Sequence, residues 1–342
     1  MNSEVLNAAY HCTDNYIDIT ATSILTLFEH NKSFSEINIY IIENGFTEAT
    51  KKKCSELAER YNRKIFFIPI GDFLERNGLE IVQIKKKWLL DSYSRLFLDE
   101  FLPADADRVL YLDGDILIMQ DLHELWNIDL ENNYCAAVPD CLSDEYNKLF
   151  GMKKGSAYCN SGVILIDLNK WRENQVDNLV KNYVRENNGY IFFMEQTALN
   201  VLLQGKIKHL DAKYNVTTTM QYLNYDEILT IRKPAKFFTR QEVNEALRNP
   251  AIVHMTSLFF VINRAWNEKT NHPEHERFNY YLDKLGWGKF AMQKDNRGIK
   301  TKIIDFGVHA LPRKLTVWIV SFLYNYVRIW KIKLQSRKNK HS

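Results

Sequence analysis

Asp113 and Asp115 are the residues whose type and spacing most directly suggest chemistry. They stand two apart in Tyr111-Leu-Asp113-Gly114-Asp115, after the apolar run 109–112. In an extended chain, alternation places both carboxylates on one face. Two like charges so close repel unless a cation or solvent offsets them. A hard divalent ion such as Mn²⁺ or Mg²⁺ prefers oxygen ligands and commonly bridges carboxylates to substrate phosphates. Gly114 lets a ligand approach the backbone closely, and ligands of open α/β sheets usually bind at the carboxyl ends of strands. The competing reading is a solvated turn with two acids, because short acidic motifs recur by chance. The strand ahead of the pair favours the metal.

Such carboxylates need a sheet behind them, and the first 120 residues supply its pattern. Apolar runs at 5–10, 37–42, 65–70 and 108–119 read as strands. Helical spacing occupies 17–28, 47–61 (with Thr47 as N-cap) and 92–102. Strands separated by helical intervals predict βαβ units and a parallel sheet. Further on, 134–138 and 162–168 read as strands, 168–187 and 194–203 as helices, and 251–255 as a short strand. Composition changes only between residues 286 and 298.

The chain has 342 residues, 46% hydrophobic and 13% aromatic, enough to bury a sizeable core and to exclude global disorder. Its net charge of +3 is unevenly spread. Residues 300–342 carry ten basic side chains and one acid, Asp305, leaving a mildly acidic body before them. A basic excess at one end argues against a nucleic-acid-binding body. Five scattered cysteines (Cys12, Cys54, Cys135, Cys141, Cys159) include no CxxC pair, so reduced thiols in a cytosolic protein are expected rather than disulfides or a zinc site. The N-terminal residues have no basic region leading into an apolar stretch, so no signal peptide is expected.

With its neighbours, the acidic pair resembles the signature of the family 8 glycosyltransferases, especially bacterial enzymes that build lipopolysaccharide or capsular glycans. The resemblance spans roughly residues 5–287 in ordered pieces. These are Ala9-Tyr-His-Cys-Thr13-Asp-Asn15-Tyr16, Tyr93-Ser-Arg95-Leu, the Asp113–Asp115 motif and Tyr158-Cys-Asn160-Ser161-Gly162-Val-Ile-Leu-Ile. Glu195-Gln196, Val253-His254 and Asn271-His-Pro273 follow. The resemblance implies a GT-A fold, an α/β Rossmann-like mixed sheet flanked by helices, over residues 1–287. It also implies a UDP-hexose donor, Mn²⁺ or Mg²⁺, and retaining transfer to a saccharide or glycolipid acceptor in cell-surface polysaccharide synthesis.

Residue roles follow from the same resemblance. Asp113, Asp115 and His254 match the family's metal ligands, although a lone histidine in an apolar strand is by itself more often a satisfied core residue. Thr13, Asn15 and Tyr16 fall beside the nucleotide, with Thr13 where relatives often carry an acid that reads uracil. Arg95 falls near the donor phosphates, where a planar fork suits bidentate contact. Asn160 and Ser161 match the loop facing the donor sugar, and Asp140 fits an acid on the sugar and acceptor side. Glu195 and Gln196 match the α-face of the sugar. Double displacement would need a carboxylate nucleophile there, and Gln196 is an amide. Front-face substitution is therefore expected, with Gln196 steadying the oxocarbenium-like centre. Glu195 would hold sugar hydroxyls and stand as the fallback nucleophile. One segment departs from the family. The stretch from His254 through Ser257 and Arg264 to Trp266 replaces a compact glycine-containing Lys-Pro-Trp segment, and Arg264 is the expected substitute phosphate cation.

The tail, 315–334, mixes aliphatic and aromatic residues and leads into Arg337-Lys-Asn-Lys340. Its uncharged stretch of 13 residues is short of the ~20 needed to span a bilayer. It predicts a helix lying in an anionic headgroup region. Residues 288–342 would then be a membrane-association region, with the protein at the inner face of the cytoplasmic membrane. A helix packed on the body is the competing reading, and removal of 312–342 is expected to spare soluble transfer. Acceptor contacts are expected from loops 142–156 and 215–239. A nucleotidyltransferase would want a glycine- and basic-rich loop after the first strand, which His11–Tyr16 does not offer. A catalytically silent nucleotide-sugar-binding protein is the alternative motivated by the divergent 257–266 stretch.

Overall fold

The computed structural model of the protein describes residues 4–81, 91–260, 263–288, 290–294 and 297–339. Residues 1–3, Val261 and Ile262 of the segment after His254, and Lys340 of the basic terminus lie outside these. The strand β2 (Glu36–Asn44) is buried along all but its ends, and so reads as one apolar run rather than an alternation. It pairs in parallel with β1 (Val5–Thr13) and β3 (Lys64–Pro69), and β4 (Arg108–Leu112) lies parallel on the far side of β1. Helices Ile17–His30 and Glu48–Arg60 make the crossovers. Thr47 caps the second as expected, its hydroxyl accepting from Thr50 N at 3.1 Å.

The sheet does not stay parallel. The strand β7 (Tyr158–Asp167) runs antiparallel to β4, and β6 (Cys135–Asp140) antiparallel to β7. A short β8 (Ile207–His209) closes the edge, giving the order β3-β2-β1-β4-β7-β6-β8. Spacing alone predicted a parallel sheet; the mixed sheet is what the family resemblance implied. Buried strands of either direction show the same apolar run, so their direction is not written in it.

The stretch read as one strand, 108–119, is two. After Leu112 the chain leaves the large sheet, and β5 (Ile116–Ile118) joins β9 (Val216–Thr217) and β10 (Ile252–His254) in a second sheet ordered β5-β10-β9. Asp113, Gly114 and Asp115 are the link between the sheets. The 92–102 helix is a 3₁₀ turn, Asp91–Leu96, followed by a short helix, Leu98–Phe101. The 168–187 helix breaks at Gln175, whose φ of 48° is left-handed. One core cluster joins Leu6, Ile24, Phe28 and Leu110; a second joins Ala9, Tyr93, Ile164 and Trp171.

The tail forms helices Arg313–Phe322 and Arg328–Asn339 around a π-type turn, Leu323–Val327. One face packs on the body. Val317 and Val320 meet Ile228, Ile231 and Leu258, while Ile329 and Ile332 meet Leu142, Tyr146 and Tyr158. Arg313 forks onto both Glu227 oxygens at 2.7 and 2.9 Å, and Asn325 donates to Ile231 O at 2.8 Å. The opposite face leaves Leu315, Trp318, Phe322, Tyr326 and Trp330 exposed. Among the described residues no helix is long and apolar enough to cross a membrane. The chain on either side of residue 287 is also in contact, since Gln293 N donates to Trp266 O at 3.1 Å. Removing 312–342 would uncover Leu142 and Tyr146, so truncation is not neutral for the body.

The docked face gives a stability contrast. Ile329→Ala is expected to cost about 2–4 kcal/mol in denaturant unfolding. Trp318→Ala, on the exposed face at 65% accessibility, should change stability by less than about 0.5 kcal/mol. Equally small effects for both would show a tail that is undocked in solution.

Candidate active site

The site sits where the two sheets meet, and backbone bonds hold both sides of the junction. Asp113 N donates to Gly162 O at 2.8 Å, and Met255 N donates to Asp115 O at 2.9 Å. His254 pairs with Ile116 across β10 and β5. One ligand atom each from Asp113, Asp115 and His254 then falls within 4.8 Å of the others. His254 Nε2 is 3.2 Å from Asp115 Oδ1 and 3.7 Å from Asp113 Oδ2.

A chain of donors fixes which nitrogen of His254 faces the carboxylates. The Gly162 N–H donates to Asn160 Oδ1 at 2.9 Å, so that atom must be the amide oxygen. The same oxygen accepts from Asn215 Nδ2 at 2.8 Å, which turns Asn215 Oδ1 toward His254 Nδ1 at 3.0 Å. Nδ1 therefore carries a hydrogen in either charge state, and Nε2 is the nitrogen that faces Asp113 and Asp115, able to offer its lone pair to a metal ion once its own proton is displaced. This is how metal-binding histidines are oriented.

Two glycines make the approach possible. A Cβ at Gly162 would overlap His254 Cε1 and lie 2.7 Å from Asp113 Oδ2. A Cβ at Gly114 would overlap the Thr20 hydroxyl on the Ile17–His30 helix. Gly114 thus serves close packing of that helix against the link. Two oxygen donors, one nitrogen donor and a cradle kept free of Cβ atoms fit a divalent metal ion.

Counter-charges surround the cluster. Arg95, 6% exposed, lies 3.0 Å from Asp113 Oδ1 and 3.6 Å from Glu195 Oε1, and donates to Ser161 O at 2.9 Å and Ser92 O at 3.1 Å. Burial works against its charge, but the Asp113 carboxylate outweighs this and makes Arg95 more basic than usual. Arg264 donates to Asp115 Oδ2 at 2.9 Å and Met255 O at 2.7 Å, with its side chain 35% exposed. Burial pushes the Asp115 carboxyl up, yet His254 and Arg264 prevail and hold it down at about 2. For His254, burial lowers the imidazole and Asp115 raises it, with a net upward shift.

The cleft above this cluster has a volume of about 720 Å³. Thr13, Tyr16, Arg95, Asp113, Gly114, Asp115, Glu195, Gln196 and Arg264 all line it. Tyr16 meets Trp266 edge to face at 5.6 Å. Glu195 accepts from Ser92 Oγ at 2.9 Å on the oxygen that does not face Arg95, and Gln196 Oε1 accepts from Ser161 N at 3.1 Å. The remaining sequence-derived residues are not among the lining groups. Asn15 is exposed nearby; Ser161 is buried beneath Gln196; Asn160 serves the histidine relay. Asp140 ends β6 and accepts from the Cys141 N–H at 2.7 Å.

Four site residues were given no role by the sequence. Asn215 ends the short 3₁₀ turn Ala212–Asn215 just before β9, and only the relay reveals its part. His11 lines the cleft, and burial together with Arg95 lowers its pKa to about 4. Phe193 and Met194 take left-handed φ values of 60° and 53° and so aim Glu195 and Gln196 into the cleft. The relay generates a test. Asn215→Leu should weaken Mn²⁺ binding by about 10–100-fold, measured by titration with circular dichroism unchanged. Gly162→Ala should do at least as much. Unchanged affinity in both would remove His254 from the ligand set.

Comparison with known proteins follows the same outline. Residues 7–268 match the sequence family described as Glycosyl transferase family 8. General stress protein A of Bacillus subtilis is 25% identical over 287 residues, covering 83% of this chain and 95% of that protein. The lipopolysaccharide 1,2-glucosyltransferase of Escherichia coli is 25% identical over 289 residues, covering 83% and 80%. Among solved structures, the galactosyltransferase LgtC with donor and acceptor sugar analogs superposes with a TM-score of 0.66 at 22% identity, over 83% of this chain and 98% of that one. At that identity the likeness shows the fold, a GT-A-type mixed α/β sheet. With the family match spanning the acidic link, the relay and the loop up to Trp266, the chain belongs to glycosyltransferase family 8.

Proposed function

We propose that this sugar-transferring family member moves a hexose, glucose or galactose, from a UDP-sugar to a saccharide or lipid-linked acceptor, with retention, in cell-surface polysaccharide synthesis. The observation that carries this reading is the convergence of Asp113 and Asp115, which line the cleft, with the buried His254 behind them, in a cleft also lined by Arg264 and Tyr16. A lipopolysaccharide 1,2-glucosyltransferase among the relatives supports the acceptor class. Asp113, Asp115 and His254 would hold Mn²⁺, with Mg²⁺ less suited to the nitrogen ligand. When bound, the ion neutralises negative charge that develops on the departing diphosphate.

The chain's own residues divide the remaining work. Arg95 is spent on Asp113, Ser161 and Ser92, so it positions carboxylates more than it greets phosphate. Arg264, more exposed and held to the cluster through Asp115, is the cation available to the diphosphate. Tyr16 and Trp266 offer the aromatic wall for the base. Both Glu195 oxygens are engaged, by Ser92 and Arg95, which blunts the carboxylate as a nucleophile and favours front-face substitution. Gln196, fixed by the Ser161 N–H, supplies a preorganised dipole beside the reacting carbon.

The exposed aromatic row of the tail, with Lys314, Lys331 and Lys333 on the same helices, suits the headgroup region of an anionic cytoplasmic leaflet. Trp318→Ser with Trp330→Ser should reduce flotation with anionic liposomes several-fold and leave neutral liposomes unaffected. Equal flotation of the variant would place the contact elsewhere.

For the chemistry, UDP release from a UDP-hexose without acceptor should require Mn²⁺ and fall about 10²-fold in kcat with Gln196→Ala, while KM changes little. Near wild-type turnover in that variant would dismiss Gln196 from the mechanism. Binding of UDP without release from any UDP-hexose would instead favour a silent nucleotide-sugar-binding protein.

A further inference from the structure

A second cavity, of about 680 Å³, opens between the tail and the loop that follows His254. Its walls include Ile231, Leu258, Phe259, Phe260, Val320 and Leu323, and its cations are Arg232, Arg328 and Lys331. Apolar walls offer a sugar hydroxyl no partner, and three cations offer a plain hydrocarbon no reason to prefer them. The combination is complementary to an anion that carries an apolar extension.

Among the described residues these cations form no ion pair, which sets them apart. Arg232 and Arg328 both lie over the ring of Tyr324, at 4.4 and 5.3 Å, so one ring gathers two guanidiniums. Elsewhere the protein pairs such groups: Arg95 has Asp113, Arg264 has Asp115, and Arg313 has Glu227. Among the described residues no carboxylate reaches ion-pair distance of Arg232, Arg328 or Lys331, and Asp140 acts on Arg232 only from farther away. The Arg232 Nε–H is buried with no acceptor. Buried donors are nearly always satisfied, and like charges gathered against an apolar wall call for an anion.

We propose that this slot binds an anionic phospholipid, its phosphate held by Arg232, Arg328 and Lys331 and its first acyl methylenes lying along Leu258, Phe260 and Val320. The source of the lipid rests on the membrane reading above, because the same helices carry the exposed aromatic row on another face. The chemistry of the slot does not rest on it. The slot also adjoins the reaction cleft. Arg328 lies 4.9 Å from the ring of Phe193, a cleft residue directly before Met194, Glu195 and Gln196. A lipid seated here is separated from the catalytic strap by one side chain.

The test uses the full chain and dihexanoyl phosphatidic acid below its micellar concentration, so no membrane is needed. Calorimetry should show saturable binding of one lipid per chain. Arg232→Gln or Arg328→Gln should weaken it about tenfold or more, as expected for loss of a charge-assisted hydrogen bond. Dihexanoyl phosphatidylcholine and inorganic phosphate should bind far more weakly than the anionic lipid. Inorganic phosphate binding as tightly as the lipid would reduce the slot to a bare anion site and overturn the proposal. Phosphatidylcholine binding as tightly would reduce it to an apolar slot and overturn it too. Should an arginine variant fail to fold, Lys331→Glu at an exposed position carries the same expectation, and unchanged lipid affinity there rejects the site. Failure of liposome flotation with retained binding of the monomeric lipid would reject the membrane reading and keep this one.

Discussion

Asp113 and Asp115 are like charges held together in a buried junction, and the surrounding structure is arranged to offset their repulsion. Arg95 and Arg264 approach from opposite carboxylates, and His254 turns Nε2 toward both acids. Glu195 adds a third acid on the far side of Arg95. With the His254 Nε2 proton displaced, as metal binding requires, three carboxylates face two guanidiniums. A divalent ion alone would leave this cluster cationic, and a diphosphate alone would leave it more anionic. The ion thus reverses the sign of the cluster and makes it receptive to the diphosphate, which is an electrostatic reason for the two to bind as a pair.

The fold exists, for this site, to deliver three side chains from two sheets to one point. The large sheet brings Asp113 at the end of β4 and the Asn160–Gly162 segment in the first half of β7. The small sheet brings His254 through its pairing with Ile116. The link between the sheets is only as long as the motif itself, so any change in its length would move the carboxylates relative to the histidine. The Gly162 N–H then sets the orientation of two asparagines and one imidazole in series. A single backbone donor thereby decides the chemistry of a side chain three hydrogen bonds away.

Much of this was legible in the sequence, and the unread remainder has physical reasons. The Asp113–Asp115 spacing is local and survives as a motif. The apolar runs for β1, β2 and β4 and the Thr47 cap were equally plain. Strand direction was not, since β7 and β6 are buried strands whose apolar runs look the same parallel or antiparallel. Nor was the break of 108–119 into two sheets, because the apolar run resumes at Ile116 directly after the three-residue motif, as an interrupted single strand would. Asn160 was recognisable as a site residue, but its task, turning Asn215 toward His254, depends on contacts across 55 residues. Arg95 was assigned to phosphate by analogy of position; its buried guanidinium is instead occupied by Asp113 and Ser161. The tail read as an amphipathic aromatic helix, and periodicity could not say that one of its faces is already spent on the body.

The central claim is that Asp113, Asp115 and His254 hold a divalent ion whose charge is completed by a nucleotide diphosphate. Isothermal titration of Mn²⁺ and UDP, each alone and each in the presence of the other, tests it most directly. The electrostatics predict that each ligand tightens the other by the same factor, about tenfold or more, as linkage requires. Independent binding of the two, with a coupling factor near one, would contradict the account.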